Sequence, residues 1–63
     1  MSKQGYKLYV VVERFDGTLF RQYVCAITEE QSKDITEIHL RIRNYMKYLG
    51  HGYYCCDYFL EYR

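Results

Sequence analysis

The segment Leu8-Tyr9-Val10-Val11-Val12 places apolar residues at every position. A strand with one face on a core and the other in water alternates apolar and polar residues; an unbroken run wants cover on both faces. The pattern predicts a strand over residues 6–15. Asp16-Gly17 follows as a hairpin signal, because glycine takes the positive φ that such a turn needs. Residues 18–27 return as a second strand. A three-residue loop, Phe15-Asp16-Gly17 with Gly17 as the bulge residue, is the favoured connection. It places Leu8, Val10 and Val12 on one face with Phe20, Val24 and Ala26. Lys7, Tyr9, Val11 and Glu13 then face outward beside Leu19, Arg21, Tyr23 and Cys25. A two-residue loop would bring Arg21 against Val12 instead, since one residue of slip exchanges every neighbour.

Thr28-Glu29-Glu30-Gln31 has the spacing of a capping box, with acids in the first turn. The helix it opens should run to about Leu49, where Gly50 supplies a left-handed stop. Ile35, Ile38, Ile42, Tyr45, Met46 and Leu49 form one apolar stripe along it. The stripe lasts about two heptads, too short to specify a coiled coil, so a helix lying on its own hairpin is the preferred reading. After His51-Gly52 a third strand runs from Tyr53 to about Tyr62. Tyr54, Cys56, Tyr58, Leu60 and Tyr62 carry no charge and should face the helix; Tyr53, Cys55, Asp57, Phe59 and Glu61 should face away. The predicted fold is α+β, a ββαβ domain over residues 1–63, with one helix on one face of a three-stranded antiparallel sheet. The most apolar strand belongs in the centre, giving the order 2-1-3. The alternative order leaves Leu8–Val12 on an open edge, an aggregation hazard.

At this length only about 60% of the unfolded surface is buried on folding, so such domains lean on staples or partners. Tyrosine is abundant, with nine among 63 residues and no Trp or Pro. Its ring packs while its hydroxyl stays wet, which suits a surface that is part core and part interface. Net charge is +1, which gives no field to steer the chain toward nucleic acid or an anionic membrane. No apolar stretch approaches the ~20 residues of a membrane span, and residues 1–5 lack the apolar core of a leader peptide. Three cysteines, an odd number, fit a reducing compartment better than a disulfide scaffold. The expectation is a cytoplasmic protein.

Candidate chemistry is sparse. Cys25, Cys55 and Cys56 with His39 and His51 raise the question of zinc. Adjacent strand residues point to opposite faces, so Cys55 and Cys56 do not converge on one ion, and no C-x-x-C spacing occurs. In the order 2-1-3 the outer strands lie roughly 9–10 Å apart, beyond the ~7 Å reach of a disulfide to Cys25. A Cys–His nucleophile would need an orienting group and an oxyanion hole, and neither has a recognisable signature. His39 reads instead as a boundary residue packed against the sheet. The expectation is therefore no catalytic residue, no metal and no cofactor.

Two surfaces remain. Arg41, Arg43 and Lys47 on the helix could contact nucleic acid, but at 100° per residue Arg43 and Lys47 fall on one flank with Lys33, while Arg41 falls on the other among acids. Lys33–Glu37 and Glu37–Arg41 have the spacing of ion pairs, so a mixed-charge solvated face is the default. The outer sheet face is the sharper candidate, with Tyr9, Val11, Leu19, Arg21, Tyr23, Tyr53 and Phe59 as interface residues. Single-stranded RNA stacks on such faces, but Glu13, Asp57 and Glu61 would repel its phosphates. Aromatic anchors with mixed charge at the rim fit a protein partner, most simply a second copy of the chain. The expected function is non-enzymatic protein binding as a homodimer, with a nucleic-acid-binding regulator as the alternative. In size and class the chain is similar to short viral and mobile-element proteins that bind a host factor, an analogy that names no partner.

Overall fold

Strand β1, Gly5–Arg14, lies between β2, Leu19–Thr28, and β3, Tyr53–Tyr62, and pairs antiparallel with both. The computed structural model describes residues 5–62, so the leader reading of residues 1–4 falls outside it. The order β2-β1-β3 is the predicted one and places the most apolar strand where both edges are paired. Leu8, Val10 and Val12 are each 0% exposed and meet Ile27, Ile38 and Ile42 in the core.

The hairpin closes through the expected three-residue loop. The Arg14 amide donates to the Thr18 carbonyl at 2.8 Å, and the Gly17 amide donates to the Arg14 carbonyl at 2.8 Å. Gly17 has φ +89°, the conformation an L side chain resists. Asp16 Oδ1 accepts from the Thr18 amide at 3.0 Å and ties the turn from outside. From this loop Glu13 pairs with Leu19, Val11 with Arg21 and Tyr9 with Tyr23.

Beyond Tyr23 the register shifts. Val24 is an extra residue in β2, so Leu8 faces Cys25 and Tyr6 faces Ile27. Cys25 and Ile27 therefore take the helix side and Ala26 the outer side, the reverse of the expected placement. The exchange is favourable: it buries Ile27 to 3% exposure where simple alternation would bury only a methyl group. A second bulge at Cys56 does the same in β3, where Val11 faces Asp57 but Val12 faces Cys55. Tyr53 and Cys55 move to the helix side of the pleat, and Tyr54 and Cys56 leave the predicted inner set. Tyr53 packs on the core with its ring 6.3 Å from Phe20, whereas Tyr54 is 64% exposed. Both bulges sit on edge strands, where an unpaired residue costs least and added twist wraps the sheet around the helix.

The single predicted helix is broken in two. The capping box at Thr28 forms as expected, with Thr28 Oγ1 accepting from the Gln31 amide at 3.1 Å and Gln31 Oε1 accepting from the Thr28 amide at 2.9 Å. It opens only one turn, α1, Glu29–Ser32. Asp34 then adopts an extended backbone and caps a new helix, α2, Ile35–Leu49, accepting from the amides of Thr36 at 3.1 Å and Glu37 at 3.2 Å. An aspartate that can satisfy two free helix donors competes with its own place in a continuous helix. The break takes Ile35 out of the apolar stripe, at 51% exposure, while Ile38 and Ile42 stay buried and Tyr45, Met46 and Leu49 pack beside them. Gly50 ends α2 at φ 94° and ψ −161°, a region open essentially to glycine but not the left-handed helical stop expected.

Candidate interaction surface

Helix α2 covers one face of the sheet only. On the other face the two registers set side chains from all three strands in rows. Tyr23, Tyr9 and Phe59 form one row, because Tyr9 is the direct partner of both neighbours. The Tyr9 and Phe59 rings stack, 5.1 Å between centroids with planes 3° apart, and Tyr23 meets Tyr9 edge-on at 5.6 Å and 66°. The next row is Arg21, Val11 and Asp57, and beyond it lie Leu19, Glu13 and Tyr54. On the opposite side of the aromatic row stand Ala26, Lys7 and Glu61.

Tyr9 and Phe59 are half-buried by one another even without a partner. Leu19 and Tyr23 remain open, at 58% and 46% exposure. Desolvation raises the Tyr9 phenol above its ordinary 10.0, and the neighbouring Glu61 carboxylate raises it further. Tyr9 therefore stays a neutral hydrogen-bond donor at every physiological pH. A shallow depression beside it is lined by Tyr9, Arg21, Phe59 and Glu61.

Of the predicted interface residues, Tyr9, Val11, Leu19, Arg21, Tyr23 and Phe59 share this face. Tyr53 does not: the Cys56 bulge turns it toward the helix. Tyr54 takes an outer position instead, opposite Glu13. A signal for the shifts was present. Val24 and Ile27 are both core-type residues three apart, and a bulge at Val24 lets one strand pack both against the core.

The basic helix residues separate. Arg41 Nε donates to Glu37 Oε2 at 2.9 Å, and its Nη1 lies 3.6 Å from Cys25 Sγ on β2. Arg43 lines the opposite flank with His39 of α2 and Cys55 and Tyr58 of β3, and with Lys47 and His51 near the helix end. Lys33 lies outside α2, in the link between the helices, which removes the predicted Lys33–Glu37 spacing. The His39 ring stands edge-on to Tyr58 at 6.2 Å, a packing position.

The three cysteines are free. Cys55 Sγ lies 3.4 Å from the Asp57 carbonyl, and Cys56 Sγ lies 3.4 Å from Glu13 Oε1. Desolvation raises both thiols, and the Glu13 carboxylate adds to the rise at Cys56. A raised thiol carries less thiolate at neutral pH than a free cysteine does. Among the described residues no group of three or more His, Cys, Asp and Glu side chains converges on a common point, and no helix is long and apolar enough to cross a membrane. No protein-family model, no curated protein and no solved structure matches the chain.

Proposed function

We propose that this is a small non-enzymatic interaction protein whose partner on the outer sheet face is a second copy of itself. The carrying observation is the row Tyr23-Tyr9-Phe59, with Val11 beside it, on the face that the helix leaves open. Aromatic side chains lose little entropy on docking and bury large areas, and mixed charge around them is the usual rim of a protein interface. Contact with nucleic acid through Arg41, Arg43 and Lys47 has less support, because Arg41 is held by Glu37 on the far flank.

The available area sets the expected strength. Three strands of 10 residues present a rectangle of roughly 33 by 14 Å, so two faces together cover on the order of 900 Å². That is below the ~1,200 Å² at which stable interfaces begin, so the expected dimer is a weak one. Sedimentation equilibrium from about 10 to 300 μM should show a monomer–dimer equilibrium. Val11→Glu should shift it to monomer while the circular dichroism spectrum stays unchanged. A wild-type chain that remains monomeric throughout, or a Val11→Glu chain that associates as the wild type does, overturns the reading.

A further inference from the structure

The charges that β1 carries on the outer face are matched by one symmetric docking geometry and opposed by the other. Along β1 this face reads Lys7, Tyr9, Val11, Glu13. The centre is apolar, and opposite charges stand at equal distance on either side of the Val10 level, each roughly 10 Å away at 3.3 Å per residue. We propose that the second copy docks antiparallel, about a two-fold axis that lies in the interface and crosses β1 at Val10. This rests on the self-association reading above and gives it a specific geometry.

A two-fold interface brings each patch against itself. With the axis across the strands, Lys7 of each copy meets Glu13 of the other. Tyr9 meets Val11, and Arg21 lies over the face of Tyr23, a favourable cation–ring placement. Glu61 comes level with the Tyr54 hydroxyl. Asp57 comes level with Phe59, the one charge left without a partner of opposite sign or a hydroxyl, and no like charges face one another. With the axis along the strands instead, Arg21 meets Asp57, but Lys7 stands against Lys7 and Glu13 against Glu13, and like-charge contacts of this kind are strongly disfavoured. Packed sheets cross at about 30°, which offsets residues 10 Å from the axis by roughly 5 Å. The long Lys7 side chain spans that offset. Among the described residues neither Lys7, opposite Glu61, nor Glu13, which accepts from Cys56 Sγ at 3.4 Å, takes part in an ion pair within its own chain.

The test is a charge exchange read by sedimentation equilibrium. Lys7→Glu alone sets acid against acid at both contacts, and Glu13→Lys alone sets base against base. Each variant should dimerise about tenfold more weakly than the wild type. Mixed in equal amounts, the two should form a heterodimer of near wild-type strength, because Glu at position 7 then meets Lys at position 13 and the native Glu13 meets the native Lys7. The double variant Lys7→Glu/Glu13→Lys should recover as a homodimer, which also shows that neither change harms the fold. If the wild type dimerises and Val11→Glu disrupts it, yet each single variant associates as strongly as the wild type and their mixture more strongly, or the mixture stays as weak as weakened components, the antiparallel geometry is wrong while the interface stands. If the wild type does not dimerise, the interface itself is wrong.

Discussion

Val10 and Val11 are neighbours of one residue type on opposite faces of the same strand, so truncating each to alanine compares the two faces directly. Val10 is fully buried among Leu8, Val12, Ile27, Ile38 and Ile42. Removing two methyl groups there loses about 1.6 kcal/mol of transfer energy at ~0.8 kcal/mol per group. The unfilled space adds about 1 kcal/mol, for a total of about 2–3 kcal/mol. A chain of 63 residues at ~0.05–0.15 kcal/mol per residue has roughly 3–9 kcal/mol in all, so Val10→Ala removes at least about a fifth of the stability. Val11 is half-buried beneath no helix, and Val11→Ala should cost the monomer below ~0.7 kcal/mol. The assay is urea unfolding followed by circular dichroism at about 5 μM, below the range of association. With a slope of ~1 kcal/mol per molar urea for so small a chain, Val10→Ala should lower the midpoint by about 2–3 M and Val11→Ala by less than ~0.7 M. At a hundredfold higher protein concentration, Val11→Ala should fall further behind the wild type, because only the wild type gains fully from dimer formation. Equal shifts for the two variants at low concentration would refute the assignment of Val10 to the core face and Val11 to the open one.

Asp34→Ala removes the acceptor for the Thr36 and Glu37 amides and should cost about 1 kcal/mol in the same urea assay; a neutral or stabilising change would mean that the break between α1 and α2 has no need of the cap. Asp16 is held below its ordinary carboxylate value of 3.8, first by the Thr18 amide that donates to it. Its folded pKa is thus lower than its unfolded one, so its contribution is complete above 3.8 and is lost as pH falls through the folded value. The difference in urea midpoint between wild type and Asp16→Asn should therefore shrink below that pH; a constant difference would show that the Asp16 charge is not responsible. Removing the Glu13 carboxylate, one of the groups that raise the Cys56 thiol, should free more thiolate, so Glu13→Gln should speed alkylation of Cys56 at pH 8, read by mass spectrometry of the modified peptide. An unchanged rate would place the thiol away from Glu13.

The hairpin, the central position of β1 and the buried set Leu8, Val10, Val12, Ile38 and Ile42 were legible in the chain. Each rests on a local signal: a glycine that must take positive φ, an unbroken apolar run, a repeat near 3.6 residues. Most of the open face followed, because a three-residue loop dictates the pairing from Glu13 to Tyr9 without reference to anything distant. Simple alternation fails at Val24 and Cys56, and an unbroken helical repeat fails at Asp34.

At those residues local pattern and tertiary packing disagree, and packing decides. Nothing in the alternation of β2 says that Ile27 rather than Ala26 should lie inward; the answer depends on the space between β1 and α2, which only the assembled fold defines. Inserting Val24 into an edge strand costs little, and burying Ile27 returns more. The same balance turns Tyr53 toward Phe20 and sets Tyr54 on the open face. The sequence alone determined that β1 carries two apolar faces, because five adjacent residues admit no polar side. The tertiary structure decided which side chains share the uncovered one, because that depends on where two outer strands slip by a residue to fit the helix.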